Sequence, residues 1–447
     1  MTLHALRRPH LSPVRLIILM FVVAIVVGTG LLMLPISYQG QAPRLLEAGF
    51  TATSAITVTG LIVVDTPEFW TLFGQVVILI LIKMGGLGVM TFATVLGMLI
   101  SHRMGLTRRL ETAAESRTEG IGDLRRVLLA IFTISSTIEL SAAVVLFLRY
   151  WLGHGVDAGL AAWYGLFHAV SAFNNAGFAL HSDSLMGYVG DPYISLTVVV
   201  CIVLGGIGFP VLVQLLKFWR IPHRWNMNTR LMMLGTVLLV SAGTAMYLLL
   251  EWSNPRTLGS LDVPSRILAA FFQSVTTRTA GFNTLDFGQM DPITLMGTDV
   301  LMFIGGGPGG TAGGLKVTTF GVLFFIMLTE LRGENAVNVL GRRLARSAQR
   351  EATTVVLLSV AAVTLGTAGL MALSEATTDQ LLFEAVSAFA TVGLSTGVMA
   401  DLPDAGQAIL MVLMFLGRLG PATVAGALAL RQRKILYELP KERPLLG

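Results

Sequence analysis

One short pattern occurs four times in this chain, and each copy lies between two long apolar segments. A phenylalanine precedes a glycine by ten residues, and the next residue is Leu or Phe. The pairs are Phe50 and Gly60, Phe167 and Gly177, Phe271 and Gly281, and Phe383 and Gly393. The glycines are 117, 104 and 112 residues apart. Four copies of one membrane hairpin can close around a common axis, so the pattern predicts four structural repeats arranged about a pore.

The composition places these repeats in a membrane. Of the 447 residues, 54% are hydrophobic and 13% are charged, whereas a soluble domain usually carries about 25% charged residues. The single cysteine, Cys201, excludes an internal disulfide and a cysteine metal cluster. The apolar run Leu16–Ile36 is longer than the core of a signal peptide, so it is interpreted as a retained first span.

Each repeat consists of a span, a short segment ending at the glycine, and a second span. The predicted spans are Leu16–Ile36 and Trp70–Ile100, Val127–Trp151 and Tyr193–Trp219, Leu231–Trp252 and Ile293–Leu331, and Thr353–Leu373 and Ala408–Leu430. The segments that begin near Leu45, Leu160, Arg266 and Gln380 are too short to cross, so we expect re-entrant pore helices. The predicted fold class is an all-α polytopic membrane protein with four M1-P-M2 (span, pore helix, span) repeats around one pseudo-fourfold pore. The predicted repeat boundaries are 1–108, 109–226, 227–346 and 347–447.

Positive charge is concentrated in five segments between the predicted hairpins. Of the 31 Lys and Arg residues, 23 lie in these segments. They are Arg7–Arg15, Arg103–Arg126, Lys217–Arg230, Arg332–Arg350 and Arg431–Arg443. Because basic segments stay on the cytoplasmic side, both termini are predicted inside and the four glycines near the outer face. The net charge of +5 is therefore attributed to topology and to contact with membrane lipid, and a nucleic-acid partner is not expected.

The residues that end at the four glycines are candidate ion ligands, and we call them the filter loops. The filter loops are Thr57, Val58, Thr59 and Gly60; Asn174, Asn175, Ala176 and Gly177; Arg278, Thr279, Ala280 and Gly281; and Ala390, Thr391, Val392 and Gly393. Glycine permits the backbone angle that turns a carbonyl toward the axis. Rings of carbonyls can replace the water shell of a monovalent cation. The negative C-terminal ends of the pore helices would favour a cation at the same place.

The second spans contain a second repeated element, which is extended in the third repeat. It reads GGLG (85–88), GGIG (205–208), GGGP (305–308) and GRLG (417–420). A continuous helix over Ile293–Leu331 would measure about 58 Å, nearly twice the hydrocarbon thickness, so it is predicted to break at Pro308. The candidate gate residues are Gly305, Gly306, Gly307, Pro308, Gly309, Gly310, Thr311, Ala312, Gly313, Gly314, Lys316 and Arg418. We expect the loop 305–314 beneath the filter, with Lys316 at the inner edge of the break.

Arg418, Arg278 and Lys83 are basic residues within the predicted membrane region whose roles need separate interpretation. Arg418 is expected to donate to carbonyls of the loop 305–314, to Glu139, or to both, and a helix-packing role is the alternative. Arg278 would repel cations if it faced the axis, and anchoring of the loop from behind is the other interpretation. Lys83 is interpreted as a packing charge. No catalytic cluster falls on one intramembrane face, so an enzyme is not expected.

The four loops TVTGL, NNAGF, TRTAGF and TVGL, with the run GGGPGGTAGGLKVTT (305–319), resemble the Trk/Ktr/HKT superfamily of potassium and sodium transporters. Because no extra pair of spans precedes Leu16, the chain is similar to the shorter KtrB type rather than the longer TrkH type. The resemblance implies one pore per subunit, a homodimer, and a cytosolic nucleotide-binding ring of the KtrA-like, RCK type made from another chain. Since serine at the first filter position goes with sodium preference in plant members, Gly60 suggests K+ bound at the filter carbonyls.

The resemblance therefore implies potassium uptake across the inner (cytoplasmic) membrane, with Na+ as a possible coupled ion and no cofactor in this chain. The alternative function of the same class is a sodium-selective or unselective cation channel. A membrane enzyme or scaffold is the alternative of a different class, and it would need an intramembrane catalytic cluster.

Overall fold

Long apolar helices dominate the computed structural model, which describes residues 13–102, 121–334 and 336–420. The last ten residues of the predicted span Ala408–Leu430, the predicted cytoplasmic tail after it and most of the basic linker 103–126 lie outside these ranges. The first repeat contains α1 (Pro13–Leu32), α2 (Leu45–Thr57), α3 (Thr66–Phe69) and α4 (Leu72–His102). The second contains α5 (Ile121–Leu148), α6 (Ala158–Phe173), α7 (Pro192–Gly206) and α8 (Phe209–Phe218). The third contains α9 (Met227–Glu251), α10 (Val263–Thr276), α11 (Pro292–Phe303) and α12 (Val317–Leu331). The fourth contains α13 (Arg346–Met371), α14 (Thr378–Ala390) and α15 (Asp404–Leu419).

Short elements connect these helices. A π-helical turn, Arg149–Gly153, continues α5. The 3₁₀ turns are Met186–Tyr188, Pro222–Arg224, Leu258–Ser260, Phe287–Gln289 and Val398–Asp401. The strands β1 (Asn338–Val339) and β2 (Arg342–Arg343) form an antiparallel hairpin between the third and fourth repeats. The fold is therefore all-α apart from this hairpin in the part that the structure describes, as the sequence predicts.

Within the described ranges, four straight helices are long and apolar enough to cross a membrane, and each is the first predicted span of a repeat. They are Arg15–Leu32, Arg126–Gly153, Met227–Glu251 and Arg346–Met371. Their outer faces carry large apolar side chains that stay exposed in the isolated chain, such as Leu249 at 81% and Leu365 at 74%. Such a continuous apolar surface is stable only against lipid. The chain is an integral membrane protein.

The second spans are less regular, because two of them break. The third repeat breaks between Phe303 and Val317, as predicted from Pro308. In the second repeat the predicted span Tyr193–Trp219 is divided into α7 and α8, which meet at an angle of 103°. The bend lies at Gly208, whose φ is 94°. In contrast, α4 continues as one helix through its small-residue element.

The four pore helices, α2, α6, α10 and α14, form the centre of the molecule. Their N-termini are capped locally: the Asp157 carboxylate accepts from the first turn of α6, and Thr377 forms a capping box with Gln380 on α14. Their C-terminal halves are buried almost without interruption. None of the four is long enough to span a membrane, which agrees with the predicted re-entrant helices.

Four phenylalanines occupy equivalent places in the pore-helix core, and the third differs from the sequence pattern. Phe50, Phe167 and Phe383 are fully buried, and each precedes its glycine by ten residues. In the third repeat the fully buried residue is Phe272, whereas Phe271 is partly exposed. The register of α10 is therefore shifted by one residue relative to the ten-residue spacing.

Candidate functional site

Each filter loop has the same backbone conformation. Two residues per loop have a left-handed φ: the glycine and the residue two positions before it. The values are 57° and 93° at Val58 and Gly60, 56° and 70° at Asn175 and Gly177, 68° and 79° at Thr279 and Gly281, and 52° and 92° at Thr391 and Gly393. Of the four residues that lie two positions before a filter glycine, three are Val or Thr. For these β-branched residues the left-handed conformation is strained and persists only when the surrounding structure imposes it.

The four glycines close into a ring. A Cβ added at any one of them would lie within 3.0 Å of a backbone carbonyl oxygen in the next repeat. The oxygens met by Gly60, Gly177, Gly281 and Gly393 belong to Ala176, Ala280, Val392 and Thr59, in that order. The contacts thus pass from the first repeat to the second, third and fourth and return to the first. All sixteen predicted filter residues lie in these loops, and fourteen are buried while Gly177 and Gly393 are partly exposed.

One hydroxyl per pore helix fixes the loop beside its glycine. Gly60 N donates to Ser54 Oγ at 3.0 Å, and Gly393 N donates to Ser387 Oγ at 3.1 Å. In the other two repeats the hydroxyl instead donates to the carbonyl that follows the glycine. Ser171 Oγ bonds Phe178 O at 2.8 Å, and Thr276 Oγ1 bonds Phe282 O at 2.6 Å.

These four hydroxyls were missed by the sequence interpretation, although three of them lie six residues before their glycines. The fourth, Thr276, lies five residues before Gly281. The same shortening appears in the backbone: Ala280 N bonds the carbonyl four residues back, whereas Thr59, Ala176 and Val392 bond the carbonyl five residues back. In the third repeat the stretch from the pore-helix hydroxyl to the filter glycine is therefore one residue shorter than in the others. This shortening explains the shifted register of α10.

In three repeats, the second span packs closely against the pore helix of the same repeat. The contact is made by the first glycine of the small-residue element (GGLG, GGIG or GRLG). A Cβ added at Gly85, Gly205 or Gly417 would lie within 3.0 Å of the carbonyl oxygen of Ile56, Phe173 or Phe389, respectively. Each of these carbonyls lies four residues before the filter glycine. The third repeat differs, because Gly305 packs on Gly313 and on the Thr279 side chain. The small-residue pattern therefore reflects close packing directly beneath the filter.

The loop 305–314 is held in the bend between α7 and α8. Gly307 N donates to Gly206 O at 2.7 Å, and Thr311 N donates to Gly205 O at 3.1 Å. In return, Phe209 N donates to Gly309 O at 3.0 Å. The loop supplies partners for backbone groups that the bend removes from helical bonding, so the two breaks compensate each other.

The same loop touches the inner side of the filter. Thr311 Oγ1 donates to Phe173 O at 3.2 Å, at the end of the second pore helix. A Cβ at Gly313 would lie within 3.0 Å of the Thr391 hydroxyl. The loop 305–314 therefore packs directly against the filter loops.

Two basic side chains hold this loop. Arg418 donates one guanidinium NH2 group to Thr311 O and the other to Gly85 O, the latter at 3.1 Å. Lys316 Nζ donates to Ala312 O at 2.6 Å and to Gly313 O at 3.3 Å. Arg418 thus joins the loop to α4, and Lys316 closes the inner edge of the break.

Glu139, the other predicted partner of Arg418, is engaged elsewhere. Its carboxylate forms an ion pair with Lys83 Nζ, at 2.5 and 2.7 Å to the two oxygens. It also accepts from Asn174 Nδ2 at 2.9 Å, at the start of the second filter loop. The expectation that Arg418 binds Glu139 is therefore wrong, and Lys83 is the cation of the buried pair. Arg278 is buried with an unpartnered Nε in the described part of the chain.

An open cavity of about 500 Å³ lies over the glycine ring, on the side where the chain continues beyond the four filter glycines. All four filter glycines line it, together with Asp65, Asp286 and His181. Burial lowers the pKa of the His181 imidazole, against the opposing effect of Asp183, so His181 is uncharged at neutral pH. The acidic and neutral lining favours the entry of cations over anions.

Comparison with known proteins identifies the family. Residues 12–436 match the TrkH family, described as a cation transport protein. The chain is 42% identical over 412 residues to the Ktr system potassium uptake protein B of Bacillus subtilis (strain 168), covering 92% of each chain. It is 39% identical to the protein of the same name from Vibrio alginolyticus, covering 97% of this chain and 94% of that one. It is 34% identical to the potassium/sodium uptake protein NtpJ of Enterococcus hirae, covering 98% of each.

The fold has also been seen in a solved structure. The crystal structure of the potassium transporter TrkH from Vibrio parahaemolyticus superposes with a TM-score of 0.75 at 21% identity. The match covers 96% of this chain and 87% of that one. At this identity the likeness concerns the fold, and the family assignment depends on the sequence matches. The chain belongs to the TrkH family of cation transport proteins.

Proposed function

We propose that this chain is the ion-translocating subunit of a potassium uptake system in the cytoplasmic membrane. The observation that carries the proposal is the closed ring of four glycines, each against a backbone carbonyl of the next repeat. Carbonyl rings replace the hydration shell of monovalent cations. The pore-helix C-termini, which point their negative ends at this ring, add a favourable field for a cation.

Potassium is the proposed ion. Glycine at all four filter positions leaves the ring lined by backbone, and two relatives are named as potassium uptake proteins. The relative named a potassium/sodium uptake protein keeps sodium as a second candidate, either as a coupled ion or as a permeating one. The alternative function is a sodium-selective or unselective cation channel.

The loop 305–314 is proposed to gate this pathway. It lies beneath the filter, has almost no helical hydrogen bonds of its own, and is held by the Arg418 and Lys316 side chains. A guanidinium below the filter would repel an entering cation while the loop is in place. Displacement of the loop would remove both the obstruction and part of the positive charge.

The assembly is proposed to be a homodimer regulated by a cytosolic nucleotide-binding ring made from another chain, with both termini cytoplasmic. The name "Ktr system" of two relatives supports a multi-subunit system. In this proposal nucleotide control belongs to the partner. The purified chain alone is therefore expected to bind no adenine nucleotide at micromolar concentration in calorimetry.

The test is potassium-dependent growth of a bacterial strain that lacks its own potassium uptake systems. Expression of the chain is expected to restore growth at low K+, and liposomes containing the protein are expected to take up K+ faster than Na+. Preferential Na+ uptake would support the sodium channel instead. Removal of residues 306–313 is expected to raise K+ flux without loss of selectivity, and unchanged flux in a folded dimer would refute the gate.

A further inference from the structure

Three of the four pore helices carry one buried polar side chain at the same helical position. His168, Gln273 and Glu384 are fully buried, and each lies three residues before the Ser or Thr that bonds its filter loop. Each also bonds the backbone of a residue twelve positions later. His168 Nε2 accepts from Leu180 N at 3.1 Å, Gln273 Nε2 donates to Leu285 O at 3.4 Å, and Glu384 Oε1 accepts from Thr396 N at 2.8 Å. These partners lie three or four residues beyond the filter glycine.

Glu384 makes the most extensive of these contacts. Besides Thr396 N, its Oε1 atom accepts from Ser395 Oγ at 2.7 Å and from Thr396 Oγ1 at 3.1 Å. Three hydrogen bonds on one carboxylate oxygen hold two consecutive residues of the outer flank. The fourth loop therefore has the largest number of hydrogen bonds from this pore-helix position.

His168 acts as a neutral bridge between two backbone groups. Because Leu180 N–H donates to Nε2, that nitrogen carries no proton. The other nitrogen, Nδ1, then carries the proton and donates to Tyr164 O at 2.8 Å. One imidazole thus links the pore helix to the segment that follows the second filter glycine.

The first repeat has no corresponding contact among the described residues. Thr51 occupies the equivalent position, and its hydroxyl donates to Glu47 O of its own helix at 2.9 Å. The first filter loop is therefore held by Ser54 on one side of Gly60, without a pore-helix side chain on the other. The four glycines are thus arranged alike, whereas the hydrogen bonds to the segment after the glycine occur in only three of the four repeats among the described residues.

Buried polar side chains are costly unless they are hydrogen-bonded, and each of these three forms at least one hydrogen bond to the outer flank of a filter loop. The helix-end hydroxyl fixes each loop beside the glycine, and the deeper side chain fixes it a few residues later. A loop held at two points keeps its carbonyl in place when an ion enters or leaves.

From these contacts we propose that His168, Gln273 and Glu384 are positioning residues that determine the ion specificity of the filter. They act through the outer flanks at Leu180, Leu285 and Thr396 and do not touch the ion. The inference rests on the proposed function of the glycine ring as a selectivity filter. It adds that selectivity depends on side chains behind the ring, in three repeats of the four.

The test compares removal of the hydrogen bond with its conservative replacement. Glu384→Leu and His168→Leu lose the acceptor, whereas Glu384→Gln and His168→Gln keep an acceptor oxygen. The control is Thr53→Val on the first pore helix, where the buried hydroxyl has no hydrogen-bond partner. K+, Rb+ and Na+ fluxes are measured in liposomes at equal protein density. The leucine variants are expected to lower the K+/Na+ flux ratio about tenfold, with rescue by the glutamine variants and no change in the control.

Parental flux ratios in folded leucine variants would overturn the inference. If Glu384→Leu does not accumulate in the membrane, the double variant Ser395→Ala with Thr396→Val replaces it, because it removes the two side-chain donors to Glu384. A parental K+/Na+ flux ratio in that double variant would likewise overturn the inference. Gly60→Ser is measured in parallel. If that variant changes the ratio while the leucine variants do not, only the positioning role fails; if none of them changes it, the filter proposal fails as well.

Discussion

The four filter loops repeat one set of contacts, whereas the layer beneath them, formed by the loop 305–314 and its partners, differs from repeat to repeat. In the filter layer two features occur four times, a left-handed residue and a glycine against the carbonyl of the next repeat, and each pore helix adds one hydroxyl that bonds its loop in one of two ways. Beneath it, only the third repeat supplies a loop and only the fourth supplies Arg418. The inner layer also holds a single buried ion pair, Lys83 with Glu139, beside the second filter loop.

This difference has a physical reason. An ion on the axis needs ligands from all sides, so a filter gains from repetition of one contact. Obstruction of a narrow pathway needs one element with two arrangements, so a single loop is sufficient. Four substitutions test this division.

The largest effect is expected from the buried ion pair. Lys83→Met leaves Glu139 buried without its cation, which is expected to lower the free energy of unfolding by about 3–5 kcal/mol. The double variant Lys83→Met with Glu139→Gln leaves no buried charge and is expected to recover much of that loss. Thermal unfolding in detergent measures both. A double variant less stable than Lys83→Met would contradict this account.

Arg418→Gln comes next. The substitution removes a charge-assisted bond to Thr311 O, which is worth about 1.5–3 kcal/mol, so K+ flux is expected to rise about tenfold or more. Liposome flux at equal protein density measures it. The control is Arg44→Gln, which breaks an ion pair with Asp404 whose side chains are 58% and 66% exposed and is expected to leave flux unchanged. Equal flux in the Arg418 variant and the parent would make Arg418 a packing residue.

Gly85→Ala tests the contact between the two layers. Its Cβ would meet Ile56 O, and overpacking of this kind costs about 1–3 kcal/mol. Gly88→Ala is the matched control on the same helix, because no atom lies within 4 Å of its added Cβ. The melting temperature is expected to fall only for Gly85→Ala. Equal shifts for both variants would show that helix propensity, and not the contact, determines the result.

Gly60→Ser tests one quarter of the ring. The new side chain would meet Ala176 O, and Na+ permeation is expected to rise about tenfold relative to K+, a change of about 1.4 kcal/mol. Gly397→Ser is the control, because Gly397 has a similar φ of 95° and lines the outer cavity with open space around it. A K+/Na+ uptake ratio that stays at the parental value in a correctly inserted Gly60→Ser protein would refute the role of Gly60.

Much of the architecture follows from the printed sequence. Segment lengths separate the first spans from the re-entrant helices, because crossing a bilayer sets a minimum length. The break at Pro308 follows in the same way, since 39 residues of helix would be too long. The interval of six residues between Ser54, Ser171 or Ser387 and the filter glycine is also visible in the sequence and could have identified those hydroxyls.

Other features depend on contacts between repeats and could not be predicted. The bend between α7 and α8 has a local signal in Gly208 and Pro210, but the sequence does not show that the loop of the third repeat supplies its hydrogen-bond partners. Likewise, Glu139 pairs with Lys83 and not with Arg418 because the Lys83 side chain is the one that lies within hydrogen-bond distance. The register of the third pore helix was hidden because Phe271 and Phe272 are adjacent and both satisfy an apolar pattern.

The class of protein, the fourfold pattern of glycines and the place of the broken helix could be read from the sequence alone, because periodicity, length and glycine content are local properties. The repeat boundaries remain a prediction. The tertiary structure decided the closure of the glycine ring, the docking of the loop into the neighbouring repeat and the partner of each buried charge. Those features depend on contacts between residues far apart in the chain, from 56 positions for Lys83 and Glu139 to 333 for Arg418 and Gly85, which only packing brings together.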